Sequence, residues 1–295
     1  MSAAYPPTTL RVALVQAELH WHDPEANFDA LRALYGELAR KADLVVLPEA
    51  FTTGFTMRPA ACGRDVGERA EAFLTAEAAH HGVWFCGSTP YYLPEVAGYV
   101  NRLLVVGPSG EVQHYDKRHR FTLAGERDAY AAGSAAPVVA IVAGWRILLQ
   151  VCYDLRFPVF SRNRSDGAGA YDVALYVANW PSPRRAHWTA LLRARAIENQ
   201  CYAVGVNRVG EDGNGLHYAG DSAAFDALGA SLIDLGQRRA AQLVELDGRA
   251  LAQVRARLPF LSDGDGFALA EHGETPARSS DQPPSAARLR GPGLG

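Results

Sequence analysis

Apolar residues in this chain fall into short continuous runs, at 10–15, 43–47, 83–87, 147–151, 173–178 and 202–206, which taken together are rich in Val and Leu. Continuity rather than alternation predicts strands buried on both faces. Between the runs lie segments of a different period. Residues 26–41 carry Phe28, Leu31, Leu34, Tyr35 and Leu38, and residues 185–199 carry Trp188, Leu191, Leu192 and Ile197. This is close to the i, i+3, i+4, i+7 spacing of a helix that lays one face on a sheet.

Strand and helix do not simply alternate. Runs at 101–106, 112–115 and 138–142 follow one another through Gly-containing turns, and 218–245 reads as further short strands. Antiparallel strands are therefore expected to join the parallel ones. A layered α/β sandwich with mixed sheets fits this order better than a Rossmann sheet or a TIM barrel. The last firm apolar stretch is Leu258-Pro259-Phe260-Leu261, and from about Glu271 the chain turns to Gly, Pro, Ser, Arg and Asp. The expected division is a domain over 1–270 and a flexible tail over 271–295, because the tail has too little apolar surface to offset its ordering entropy. No Walker loop, no GxGxxG and no short internal repeat is present.

Composition narrows the partner. With 295 residues, a net charge of -3 and no basic patch, the chain gives no sign of binding nucleic acid or an anionic membrane surface, and a small molecule is expected instead. No stretch reaches the roughly 18 apolar residues of a membrane helix, and the first residues lack the pattern of a signal peptide. Four cysteines without CxxC spacing point to reduced thiols and a cytoplasmic protein.

Three of the strand-like runs deliver chemistry at their carboxyl ends. The run at 147–151 opens into Cys152-Tyr153-Asp154-Leu155-Arg156-Phe157-Pro158, the run at 43–47 leads through Pro48 to Glu49, and His114-Tyr115-Asp116 leads to Lys117. Open α/β sheets place reactive groups at such ends. A thiol, an acid and an ammonium suggest a nucleophile, its base and an electrostatic partner. Each has a plainer reading. A lone cysteine is commonly a small buried hydrophobe, Glu49 could be a surface carboxylate in a loop, and Lys117-Arg118-His119-Arg120 could be a solvated basic turn. Cys86 and Cys201 lie inside apolar runs and read as core, while Cys62 is open between an exposed thiol and a structural one. For Glu49, the apolar loop Ala50-Phe51-Thr52-Thr53-Gly54-Phe55 favours the chemical reading, since apolar surroundings raise a carboxyl toward the range of a general base.

Leu47-Pro48-Glu49, Asp116-Lys117-Arg118-His119 and Val151-Cys152-Tyr153-Asp154-Leu155-Arg156-Phe157-Pro158 resemble, in the same chain order, the glutamate, lysine and cysteine motifs of the nitrilase, or carbon-nitrogen hydrolase, superfamily. The resemblance covers residues from about 10 to 260. Glu49-Ala50-Phe51-Thr52-Thr53-Gly54-Phe55, Cys152-Tyr153-Asp154-Leu155-Arg156-Phe157-Pro158 and Ala178-Asn179-Trp180-Pro181 are most similar to the omega-amidases, which hydrolyse the terminal amide of 2-oxoglutaramate and related monoamides. Ala50 departs from the larger apolar residue expected there.

The resemblance implies a four-layer α-β-β-α sandwich paired into a homodimer, with segments 156–162 and 185–199, both read as helical, as the candidate interface. It implies catalysis by Cys152 as nucleophile, Glu49 as base and acid in turn, and Lys117 with the Tyr153 N–H as oxyanion donors. Glu126 is a second glutamate placed to position the amide or water, its plainer reading being a loop carboxylate paired with Arg127. Asn179 and Trp180 are expected beside the substrate. The far carboxylate of an omega-amide calls for an arginine, with Arg156, Arg184 and Arg185 as candidates, although Arg156 could instead pair with Asp154 or Asp172. His119 reads as structural, and His187 and His217 are too isolated to argue a metal site. This chemistry requires no metal and no organic cofactor. The rival readings are an N-carbamoyl amine or aliphatic amide hydrolase of the same superfamily, and a catalytically silent metabolite-binding homologue.

Overall fold

The computed structural model describes residues 9–164 and 171–269, so the expected tail over 271–295 lies outside the described residues. The unit that holds the site ends at Asp265. Its strands are β1 (Thr9–Gln16), β2 (Leu44–Val46), β3 (Trp84–Leu93), β4 (Gly98–Val106), β5 (Val112–Asp116), β6 (Val138–Val142), β7 (Trp145–Val151), β8 (Val173–Ala178), β9 (Tyr202–Asn207), β10 (Val209–Glu211), β11 (His217–Ala219), β12 (Ala223–Phe225), β13 (Ser231–Asp234) and β14 (Ala240–Asp247). Its α-helices are α1 (Pro24–Ala39), α2 (Val66–His81), the single turn α3 (Glu126–Ala129), α4 (Arg185–Asn199) and α5 (Gly248–Arg257).

Two six-stranded mixed sheets form, in the orders β14-β1-β2-β3-β4-β5 and β13-β12-β9-β8-β7-β6, and β10 pairs with β11 as a separate hairpin. The sheets share one pattern. From β14 the first runs antiparallel, parallel, parallel, antiparallel, antiparallel, and from β6 the second does the same. This structural duplication has no counterpart as a short repeat in the sequence.

The expected four layers are present. In β2, Val45 packs with Phe28, Leu31 and Tyr35 of α1 and Phe73 and Leu74 of α2, while Leu44 and Val46 are buried on the opposite face. In β8, Ala174, Tyr176 and Ala178 pack with Trp188 and Leu192 of α4, while Val173, Leu175 and Val177 are buried on the other side. Period-two side chains buried on both faces require a helical layer outside and a second sheet inside; β1 and β4 meet β9 and β7 across that seam.

Helix α2 has no strong signature in the sequence. Its buried positions include Gly67, Ala70 and Ala78 as well as Val66, Phe73, Leu74 and Glu77, so the apolar stripe is thin. Strand β3 runs past the interruption at Ser88-Thr89-Pro90 to Leu93, because β4 pairs with it from Phe85 to Leu93. The expected helix over 156–162 does not form. Cys152–Arg156 is a tight 3-10 turn that Asp154 ties back onto the chain, and residues 158–161 continue as a turn.

Candidate active site

Four strands end at one place along the seam. β2 leads through Leu47-Pro48 to Glu49, β5 to Lys117, β7 to Cys152 and β8 to Asn179. Lys117 Nζ lies 2.9 Å from Glu49 Oε1 and 2.9 and 3.0 Å from the two oxygens of Glu126. All three side chains are buried. The other Glu49 oxygen accepts the Asn179 N–H at 2.7 Å, Asn101 Nδ2 donates to Oε1 at 2.9 Å, and Asn179 Nδ2 donates to the Glu49 carbonyl at 2.6 Å. Glu49 is thereby fixed from both sheets.

Cys152 sits where β7 breaks into the 3-10 turn, with φ of 45°, and its Sγ is 3.8 Å from the Asn179 carbonyl. Left-handed backbone at a residue with a Cβ costs roughly 1–3 kcal/mol and is held only by its surroundings. The turn gives the thiol partial exposure while its neighbours Val151, Asp154 and Leu155 stay buried. Tyr153 follows at the start of the turn, where backbone N–H groups have no partner within it. Ala50 is also left-handed, with φ of 47°, buried, and donates its N–H to Ser88 Oγ at 3.0 Å.

Electrostatics follow from burial. Burial alone would lower the pKa of Lys117, but the carboxylates of Glu126 and Glu49 outweigh it and hold the ammonium well above the ordinary lysine value. The Glu126 carboxyl is raised by burial and by Glu49, against the pull of Lys117. The Cys152 thiol is pushed well above its ordinary value, first by burial and then by the Glu49 charge. A resting thiol with a fixed carboxylate beside it needs a base before it can react.

Asp154 ties the Cys152 turn to the loop that carries Lys117. Its carboxylate accepts the Val151 N–H and the Tyr115 hydroxyl, each at 2.9 Å, together with the His119 N–H at 3.1 Å and His119 Nδ1 at 2.7 Å. The His119 ring stacks on Phe157 at 3.8 Å. His119 is thus hydrogen-bonded within the fold and does not line the cavity described below. Glu126 does not pair with Arg127: it opens α3 and turns inward to Lys117, and its Oε2 accepts the Phe121 N–H at 2.5 Å.

Cys152, Lys117, Tyr153, Asn179 and Trp180 share one cavity of about 380 Å³. Arg156 and Arg184 line it, and so does Arg58, which the sequence did not single out. Arg156 pairs with neither Asp154 nor Asp172. Its guanidinium lies 4.7 Å from the Trp180 ring centroid, with Nη2 3.1 Å from His187 Nδ1, while Asp172 holds Arg146 and Arg255. Arg185 is occupied by Asp221 through two contacts of 2.8 and 2.7 Å and does not line the cavity. Cys62 is buried with Val66, Tyr99 and Tyr130. Among the described residues, no three His, Cys, Asp or Glu side chains come together in a way that could hold a metal ion.

Asn101 and Trp21 also went unnoticed in the sequence. Asn101 did carry a signal, as an amide aligned with the buried residues of β4. Trp21 and Arg58 reach the cavity from loops distant in sequence and had none.

A buried glutamate and lysine beside a partly exposed cysteine thus stand at the seam of an α-β-β-α sandwich. The chain belongs to the carbon-nitrogen hydrolase family, which it matches over residues 11–256. It is 47% identical over 264 residues to the omega-amidase YafV of Escherichia coli (strain K12), covering 88% of this chain and 98% of that protein. It is 30% identical to a 2-oxoglutaramate amidase of Bacillus subtilis (strain 168), covering 85% and 96% of the two. A crystal structure of a CN-hydrolase superfamily protein from Xanthomonas campestris, with an arsenic adduct in its active site, superposes with a TM-score of 0.85 at 45% identity, covering 90% of this chain and 100% of that one.

Proposed function

We propose that this enzyme is an omega-amidase that cleaves the terminal amide of small omega-amido dicarboxylates such as 2-oxoglutaramate, releasing the acid and ammonia. One observation carries the reading: Cys152 shares its cavity with Arg58, Arg156 and Arg184, and none of these arginines forms an ion pair with a described carboxylate. A substrate with an amide at one end and a carboxylate at the other meets both needs. The names of the similar E. coli and B. subtilis proteins support it.

In the proposed reaction Glu49 takes the proton of Cys152, and the sulfur attacks the amide carbon. The Lys117 ammonium and the Tyr153 N–H receive the negative charge that develops on the oxygen. As the C–N bond breaks, Glu49 returns its proton to the departing nitrogen and ammonia leaves a thioester. Glu49 then takes a proton from water, whose oxygen attacks the thioester; the C–S bond breaks, the acid departs and the proton returns to sulfur. Glu126 keeps Lys117 in place and positions the substrate amide or water.

We assign the hydrolase domain to 1–270 and the active form to a homodimer. Val159 and Ile197, 57% and 49% exposed, mark a candidate contact face beside α4. Four cysteines without a disulfide suit a cytoplasmic location, and among the described residues no helix is long and apolar enough to cross a membrane.

The test is ammonia release from 2-oxoglutaramate, with glutamine, an N-carbamoyl amino acid and a nitrile as comparators, in wild type and Cys152→Ala. Release from the oxo-amide that vanishes in the variant supports the reading. Activity confined to a comparator overturns the substrate class while keeping the thiol chemistry.

A further inference from the structure

Trp21 follows β1 and lines the cavity without hydrogen-bonding to Glu49, Lys117, Cys152 or Glu126. Its indole is wedged between two glycines that no other residue could replace without moving it. A Cβ on Gly54, which has φ of 70°, would stand 2.9 Å from Trp21 Cε3, and a Cβ on Gly213 would run into Cδ1 and Nε1. The ring also stacks on His22 at 4.6 Å and 14°, and His22 Nε2 is 2.7 Å from Thr56 Oγ1.

Gly213 belongs to the turn between β10 and β11, and that turn is itself fixed. Asp212 Oδ1 accepts the N–H groups of Asn214 and Leu216 at 2.8 and 3.0 Å, and Oδ2 accepts the Tyr218 hydroxyl at 2.9 Å. The buried Arg208 guanidinium lies 4.8 Å from the Tyr218 ring centroid and donates to the carbonyls of Leu19 and Glu211 at 3.3 and 3.0 Å. Bridges from Val209 to Glu18 and from Tyr218 to Pro181 anchor the hairpin on both sides, so it spans from the Trp21 loop to the segment holding Asn179 and Trp180. Asp212, Asn214, Leu216 and Tyr218 all line the cavity.

We propose that Trp21, backed by the hairpin turn at 212–216, is the end stop of the acyl pocket and restricts this enzyme to short omega-amido acids. The proposal rests on the amidase reading above. A wall discriminates by excluding each added methylene, and the indole is backed by the close approach of Gly54 and Gly213 and by the stacked His22 ring. The cavity of about 380 Å³ stands near the low end of the roughly 300–1,000 Å³ usual for small-ligand sites, as an end-stopped pocket should.

The experiment is ammonia release from succinamate, glutaramate, adipamate and suberamate by wild type, Trp21→Ala and Leu216→Ala, reading kcat/KM for each chain length. A pocket wall typically discriminates by about 10- to 200-fold per methylene. Wild type should therefore drop by about 10-fold or more on passing its longest accepted chain, and Trp21→Ala should raise the suberamate-to-glutaramate ratio by at least about 10-fold. Leu216→Ala should move the ratio the same way. It sits on a turn with Leu216 38% exposed, so it decides the matter if Trp21→Ala does not fold. An active wild type with an unchanged ratio in the folded variants overturns the end stop alone. A wild type inert on these amides and on 2-oxoglutaramate overturns the amidase reading and the end stop with it, and one active on 2-oxoglutaramate alone overturns the end stop, because the oxo group rather than chain length then selects the substrate.

Discussion

Lys117 Nζ stands 2.9 Å from Glu49 Oε1, an ion pair in which both side chains are almost wholly withdrawn from solvent. The same nitrogen serves Glu126. Removing it leaves two buried carboxylates without a cation, and breaking such a pair typically costs about 3–5 kcal/mol.

Lys117→Ala is therefore expected to lower the unfolding midpoint and to reduce kcat by about 10²- to 10³-fold, the usual loss for one oxyanion donor. Its pH dependence has a definite sign. The folded-state pKa of Lys117 is raised, so its contribution is complete below the unfolded lysine value and is lost as pH rises through the higher folded one. Denaturation midpoints across the alkaline range should show this loss in wild type and not in the variant. A variant with wild-type turnover would remove Lys117 from the reaction.

Glu49→Gln should separate thiol ionisation from catalysis. Burial and then the Glu49 charge hold the Cys152 thiol well above its ordinary value, so neutralising the charge should lower it. Iodoacetamide alkylation of Cys152 should shift to lower pH, while amide turnover should be lost with the proposed base. Alkylation moving to higher pH would contradict this electrostatic account.

Asp154→Ala should impair both stability and rate although Asp154 does not line the cavity. Its four accepted hydrogen bonds join Val151, Tyr115 and His119, and hence the turns of Cys152 and Lys117. Bonds to a charged group are worth about 1.5–3 kcal/mol each. We expect a lower unfolding midpoint and a fall in kcat larger than the change in KM; a change confined to KM would show that the turns keep their places without it.

The arginines are expected to divide. Arg156→Ala should raise KM for an omega-amido acid by roughly 10- to 100-fold, in line with the loss of a charge-assisted hydrogen bond, whereas Arg185→Ala should leave KM near wild type because that side chain is held by Asp221. Steady-state kinetics on both variants checks the pair, and the reverse ranking would relocate the carboxylate site to α4.

The sequence determined most of the strands, though not the short β10 (Val209–Glu211), together with α1 and α4 and the three positions that meet, since each depends on local pattern: continuous apolar residues for a strand buried on both faces, a 3.6-residue period for a helix, and a polar residue at a strand's carboxyl end. Glu49, Lys117 and Cys152 were legible for that reason, and Glu126 and Asn179 through resemblance. Helix α2 was not, because Gly67, Ala70, Ala78 and the polar Glu77 thin its buried apolar stripe, and the helix expected over 156–162 gave way to a turn that Asp154 bonds to Val151, Tyr115 and His119. Only the tertiary structure decided what each charge pairs with. Arg185 turned to Asp221, Arg156 to Trp180 and His187, and Glu126 to Lys117 rather than Arg127. The cavity wall was decided there too, because Trp21, Arg58 and the 212–216 turn come together through the packing of loops from both sheets, and contacts between residues far apart in sequence leave no period in the chain.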